Sequence, residues 1–315
     1  MWYRSRYMAV RKLRILPKGK LKPLKAFDVS LIQRRLDGLL INVDRDLQRR
    51  LGSARITNNS NLFGQLTMAT VMNRIAFNSY AALCFVTVDD EDYRRRKNFA
   101  LIMPPVNRQL MDLLFTLVYI RDNFHARLLS YERASYRAWK EEYELYRGRF
   151  SGLPEWRSFF SFQKAFLPQI AKMLGITQAE KRNLNRIPRW KGPFKLSQEK
   201  TQSQPFLKWM VKWLYGETSA EAHLTGIGLF SISPFLLADL AEEEFRDVIM
   251  KRTVLQYHAK HFSRTVMLVL AIATELDAQF KLDNHTAIAY IWRILVEHAP
   301  DANDMYENRY KAMLT

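Results

Sequence analysis

Cysteine is almost absent. A single residue, Cys84, in a chain of 315 excludes an intrachain disulfide framework and any zinc or iron–sulfur site built from several cysteines. Glycine and proline number 11 each, well under their combined roughly 12% share of average usage. So few turn-formers imply long helices rather than many short strands. There is no Gly-rich phosphate loop, no internal repeat and no alternating-period strand of useful length. A clean run of about 18 apolar residues, the length a membrane span needs, is also missing. The nearest stretches are residues 265–274, which are too few, and residues 65–88, which contain Asn73, Arg74 and Asn78. Histidine is scarce: His125, His223, His258, His261, His285 and His298 are all there are. No motif requires a cofactor, and no set of residues has the spacing of a metal site.

Apolar side chains, at 48%, are enough for a sizeable core and exclude disorder throughout. Positive charge is in large excess: 49 Lys and Arg oppose 31 Asp and Glu, a net +18. Half of that excess sits in the first 25 positions, which hold Arg4, Arg6, Arg11, Lys12, Arg14, Lys18, Lys20, Lys22 and Lys25 without one acid. Trp2, Tyr3 and Tyr7 lie among them. Cations track a phosphate backbone, and aromatic rings can stack on bases. Three readings of this arm stand side by side: nucleic-acid contact, a solvated basic tail, or contact with an acidic protein. A secretory signal is not expected, because charges interrupt every short apolar stretch. A transit peptide would be Ser-rich, and this arm has only Ser5. The expected setting is cytoplasmic, with no membrane partner.

Hydrophobic periodicity organises the rest. Ile32, Leu36, Leu39, Leu40, Val43, Leu47 and Leu51 recur at three and four, predicting a helix over residues 30–51 with Gly52 placed to end it. Residues 58–60 can cap a second helix to about residue 88. Residues 89–97, DDEDYRRRK, read as a polar connection. Pro104 and Pro105 suit the first turn of a third helix, predicted to run to about residue 147. Its first half carries a Leu stripe. Its second half carries Tyr131, Tyr136, Trp139, Tyr143 and Tyr146 on one face, a pattern of packing more than of a ligand box. Gly152 and Pro154 break that helix, and the aromatics from Trp156 to Phe166 suit a short packed one. Residues 181–200 then hold Lys181, Arg182, Arg186, Arg189, Lys191, Lys195 and Lys200 against one acid, Glu199, with Trp190 and Phe194 interleaved. Pro188 and Pro193 make this segment read as an irregular loop. Residues 206–215 are helical again, a long helix follows from about Glu242 to Leu282, and a last one ends before Pro300. The sum is an all-α, large multi-helix bundle of seven to nine helices. Its parts are a basic arm (1–27), an N-terminal helical part (28–150), an aromatic and basic connection (151–204) and a C-terminal helical part (205–315).

Few side chains suggest chemistry. Arg121 and His125 are four apart on the predicted third helix, as are Arg108 and Asp112. The latter pair is either an intrahelical ion pair or a polar pair facing a cavity. Arg252 and His258 lie six apart, with His261 one turn on. A His beside an Arg suits phosphodiester cleavage without a metal, the His taking the 2′-OH proton and the guanidinium holding the phosphate charge. The alternative is two ordinary surface residues, since six positions do not share a face of an ideal helix. His258 and His261 at i, i+3 lack a nearby carboxylate to complete a metal site. Ser219 and His223 lack the elbow and third member of a hydrolase.

Three stretches carry a resemblance. They are the helix over residues 58–88, the run NRQLMDLLFTLVYI from Asn107, and YGETSAEAHLTGIG from Tyr215. Together they resemble an uncharacterised family of all-helical bacterial proteins whose recurrent polar positions match Arg108, Asp112, Ser219 and His223. That group is similar to the HEPN superfamily of antiparallel helical bundles. Many of its members are metal-independent ribonucleases of toxin–antitoxin and phage-defence systems. Their mark is an Arg followed after four to six residues by a His, completed across a dimer. Arg252 and His258 fit that spacing, although Thr253 stands where Asn, Asp or His is usual. The resemblance implies an RNA-cleaving protein, RNA rather than DNA as partner, Arg252 and His258 as the working pair with His223 as a third, and a homodimer. The strand would be held by the arm and by Lys181, Arg182, Arg186, Arg189, Trp190 and Lys191. The competing expectation is a non-catalytic nucleic-acid-binding or scaffolding subunit of a larger defence or mobile-element complex.

Overall fold

The computed structural model of the chain describes residues 29–57, 59–87, 101–216, 219, 222 and 255–314. The basic arm, residues 89–97, His223, the start of the long helix near Glu242 and Arg252 lie outside the described residues. Described residues are 86% helical with no strand, in eleven helices, so the all-α expectation holds. The excess over seven to nine comes from short helices and from one long helix that is broken in two.

Helices α1 (Val29–Ile56) and α2 (Ser60–Thr87) pack along each other. The three- and four-residue spacing puts Ile32, Leu36, Leu39, Leu40, Val43 and Leu47 on one buried face of α1, as predicted. Gly52 does not end the helix, which runs on to Ile56. The reversal comes later, where the Thr57 hydroxyl donates to the Ser53 carbonyl (3.0 Å) and Asn59 Oδ1 accepts from the Leu62 N–H (3.0 Å). That second bond is the cap expected within residues 58–60. On α2 the small Ala69 and Ala76 alternate with Leu66, Tyr80 and Leu83 on the buried face. Cys84 lies there too, and burial pushes its thiol up to about 11.

Helix α3 (Met103–Arg121) starts with prolines in its first turn, as expected. It does not continue to residue 147. Asn123 (φ −151°, ψ 74°) breaks it, and α4 (Phe124–Phe150) begins anew. Asp122 supplies the cause, because its carboxylate is drawn out to residue 203, 81 positions away. The aromatic stripe of α4 packs on α5 (Arg157–Met173) and on the 3₁₀ turn before it. Trp139 meets Phe166 at 5.4 Å, Tyr143 meets Phe160 at 6.1 Å, and Tyr146 meets Trp156 at 5.4 Å. Most are edge-to-face pairs that satisfy the ring quadrupoles. This pair of helices has its own small core, with Tyr136, Tyr143, Leu167 and Ala171 at its centre.

Short helices α6 (Gln178–Arg182) and α7 (Pro193–Leu196) lead to α8 (Gln204–Met210), which ends in a π turn over Val211–Tyr215. Helix α9 (Leu255–Phe280) is the axis of the molecule, packed by α1, α2, α3, α10 (His285–His298) and α11 (Pro300–Met305). The apolar run at 265–274, too short for a membrane, is the stretch of α9 buried on every side. No helix among the described residues is long and apolar enough to cross a membrane. Pro300 does not close the fold. It sits in the first turn of α11, and helical structure continues through a π turn (Tyr306–Tyr310) to Leu314. One main core unites side chains from residues 32–128, 196–210 and 262–310, so the N- and C-terminal helical parts share it.

The α9–α10 turn holds two non-glycine residues in the left-handed region, Lys281 (φ 52°) and Asp283 (φ 61°). It is pinned by Arg50, which donates to the Lys281 carbonyl (2.6 Å), and by Asp277, which accepts from the Asn284 N–H (2.9 Å). The Lys281 side chain is exposed. Lys281→Gly should therefore raise unfolding free energy by about 1 kcal/mol in a urea titration, because the bond to its carbonyl survives while the Cβ strain is removed. An unchanged or lower stability would contradict the strain argument.

Candidate functional site

Of the three residues expected to cut a strand, only His258 is described. It is half-buried on α9 with its ring parallel to Phe262 at 6.3 Å. His261 is fully buried against Tyr257, with ring centroids 4.2 Å apart. Arg264 is buried and pairs with Asp301 at 2.5 Å. No cluster of three metal-capable side chains occurs among the described residues. The helix break separates Arg121 from His125, so they do not share a face. Arg121 turns into the protein, while His125 is exposed on α4.

Arg108 and Asp112 form the intrahelical ion pair (Nε–Oδ2, 3.1 Å), and the guanidinium carbon sits 3.5 Å from the centre of the Tyr215 ring. The stretches starting at Asn107 and Tyr215, far apart in the chain, thus meet. Arg108 Nη1 and Asp112 Oδ1 are buried with no hydrogen-bond partner among the described residues. Neither residue lines the cavity over Arg121 and Arg309 described below.

The basic segment at 181–200 is more ordered than an irregular loop. Thr177 and Glu180 form a capping box that starts α6, further helical turns follow at Leu184–Arg186 and α7, and Ile187 is buried. Trp190 is half-buried. It lies edge-on between Tyr119 (5.7 Å) and Tyr131 (4.9 Å), anchoring the segment to α3 and α4. Two of the expected strand-holding cations pair with acids of the chain: Arg189 with Glu141 (2.9 Å), which Arg137 also holds, and Lys191 with Glu199 (2.5 Å). Tyr119 donates its hydroxyl to Glu199. Burial and that carboxylate push the phenol up to about 12. The Arg137 hydrogen bond holds Glu141 below the usual carboxylate range, and the Thr177 backbone N–H does the same for Glu180. Glu199 is also lowered: burial pushes it up, but the bonds from Lys191 and Tyr119 outweigh that. A group with a depressed folded value contributes stability above its unfolded value, near 4.5, and loses it as pH falls through the folded one. These anchors hold at neutral pH and release in acid. The other cations remain: Lys181, Arg182, Arg186, Lys195 and Lys200 make no ion pair among the described residues, and all but the half-buried Lys181 are exposed. Phe194, among them, is 65% exposed.

A second cluster has no counterpart in the sequence reading. Glu275, at 0% exposure toward the C-terminal end of α9, accepts from Arg121 Nη1 (2.6 Å) and from both Nε and Nη2 of Arg309. Arg309 Nη1 donates to the Ser203 hydroxyl (3.1 Å). That hydroxyl donates to Asp122 Oδ1 (2.6 Å), and the Ser203 N–H donates to Asp122 Oδ2 (2.8 Å). The signal in the sequence is Glu275 itself, an acid closing a ten-residue apolar run. Its partners, 154 and 34 positions away, are not legible there. Over the two arginines lies a cavity of about 430 Å³, lined also by Asp122, Gln202, Ser203, Phe206, Asn308 and Met313.

Comparison with protein-family models, curated proteins and solved structures finds no match to this chain.

If Trp190 is the anchor of the basic segment, Trp190→Ala should free it. Brief trypsin treatment at neutral pH should then cut within residues 182–195 several-fold faster than in the unaltered protein, read by mass spectrometry of the fragments. Equal rates would show that the ion pairs alone hold the segment.

Proposed function

We propose that the chain is a nucleic-acid-binding helical protein that grips a strand by surface cations, RNA being the expected partner. The observation that carries this reading is the division of the 181–200 segment. Arg189 and Lys191 pair with acids of the protein, whereas Arg182, Arg186, Lys195 and Lys200 are exposed and make no ion pair among the described residues, and Phe194 of the same segment is exposed too. An anchored backbone with outward cations and one open aromatic ring suits a phosphate chain with splayed bases. The nine cations of the first 25 residues add to the same excess, which reaches +18 overall. The choice of RNA follows from the HEPN resemblance alone. Support for cleavage by Arg252, His258 and His223 comes from their spacing and that resemblance, so binding, within a larger assembly, is the preferred reading.

Binding of the full chain to a single-stranded RNA oligomer, followed between 50 and 200 mM salt, tests this. Affinity should fall steeply with salt. Replacing Arg182, Arg186, Lys195 and Lys200 by Ala should flatten the log–log slope by about 3, at about 0.7 for each phosphate no longer neutralised. Deleting residues 1–25 should flatten it further. Binding that is absent, or that keeps its salt slope in both variants, contradicts the proposal. RNA cleavage in EDTA that disappears with His258→Ala would establish the nuclease reading in its place.

A further inference from the structure

The cavity above Glu275 has the construction of an anion site, and we propose that it binds a phosphomonoester. Its volume of about 430 Å³ falls within the roughly 300–1,000 Å³ of small-molecule sites. Two guanidinium groups reach it from different directions, Arg121 from the end of α3 and Arg309 from the C-terminal π turn. Both are fixed from beneath by Glu275, which is fully buried and does not line the cavity.

The donor inventory favours a ligand. Arg309 is held by Nε and Nη2 on Glu275 and by one Nη1 bond to Ser203, and its guanidinium lies 4.9 Å from the Phe206 ring centre. Arg121 donates to Glu275 through Nη1 alone and also touches the Met313 sulfur at 3.5 Å. Its Nε and Nη2 meet no acceptor among the described residues. A guanidinium carries five N–H donors, so donors from both arginines are left over at the cavity. Asp122, the lining carboxylate, does not consume them. Its oxygens accept from the Ser203 N–H and hydroxyl, and Arg127 stands 3.7 Å away. Ordering these long side chains on a buried carboxylate is done before any ligand arrives, which is how binding sites avoid an entropic penalty.

The geometry selects among anions. A planar carboxylate is satisfied by one guanidinium fork, whereas a terminal phosphate offers three oxygens in a tetrahedron and accepts from two forks at once. A phosphodiester within a strand has chain on both sides and does not fit a pocket of this size. Phe206, Pro205 and Met313 give an apolar wall for the carbon part of the ligand. None of the exposed cations of residues 181–200 lines the cavity, and the proposed anion site does not rest on the strand-gripping role.

Titrating the full chain with AMP, adenosine and inorganic phosphate, by calorimetry and by melting temperature, is the test. AMP should bind saturably and raise the melting temperature, adenosine should do neither, and inorganic phosphate should compete with AMP. Gln202→Glu combined with Asn308→Glu places two negative charges at exposed lining positions. That variant should weaken AMP at least about tenfold through like-charge repulsion while keeping the helical circular dichroism of the unaltered protein. A 5′-phosphorylated RNA oligomer that displaces AMP, where its 5′-hydroxyl counterpart does not, identifies a strand end as the source of the phosphate. Failure of both oligomers to displace it identifies a free nucleotide. The proposal is overturned if neither AMP nor phosphate binds, if adenosine binds as well as AMP, or if the double variant binds AMP like the unaltered protein.

Discussion

One buried negative charge organises the molecule. Glu275 sits on the central helix, where a lone carboxylate would be strongly disfavoured. It is tolerable only because Arg121 and Arg309 close on it from two other elements. The demand for those partners fixes where α3 must end and where the C-terminal π turn must lie. The same network reaches Ser203 and Asp122 through Arg309, so the break between α3 and α4 and the start of α8 obey one constraint. A buried triad of this kind is weak evidence for stability, because well-packed apolar replacements often do as well or better. What the triad presents is two pre-ordered guanidinium groups that line a cavity.

The basic segment shows a related economy of charge. Acids of the protein take up Arg189 and Lys191 and so fasten the segment, with Trp190 edge-on between two tyrosines as the apolar anchor. Its remaining cations then project from a fixed backbone. Cations on a fixed frame lose less freedom on meeting a polyanion than cations on a loose tail. Anchoring residues and outward cations are therefore different residues of one short stretch, although the sequence shows them as a single basic run.

What was legible in the sequence follows from range. The buried face of α1, the Asn59 cap and the packing role of the α4 aromatics depend on neighbours within a few turns, and periodicity reports them. The break at Asn123 is not legible, since residues 121–124 carry neither proline nor glycine and the cause lies 81 positions away. Gly52 is a false stop: glycine in a helix interior costs only about 1 kcal/mol relative to alanine, and the packing of α1 against α2 carries the helix on to Ile56. Trp190 illustrates the same limit, because an aromatic among cations looks alike in sequence whether it faces solvent or is tucked between rings. The Arg121–Glu275–Arg309 site joins three distant stretches, and only the acid at the end of an apolar run marks it beforehand.

The most direct test separates holding a ligand from holding the fold. Glu275→Ala leaves two part-buried guanidinium groups without their carboxylate and should destabilise by about 3 kcal/mol. Replacing the whole triad, with Arg121→Met, Glu275→Leu and Arg309→Met, should restore most of that stability in a urea titration while abolishing AMP binding. A triple variant that folds and binds AMP like the unaltered protein, or one no more stable than Glu275→Ala alone, would contradict the account.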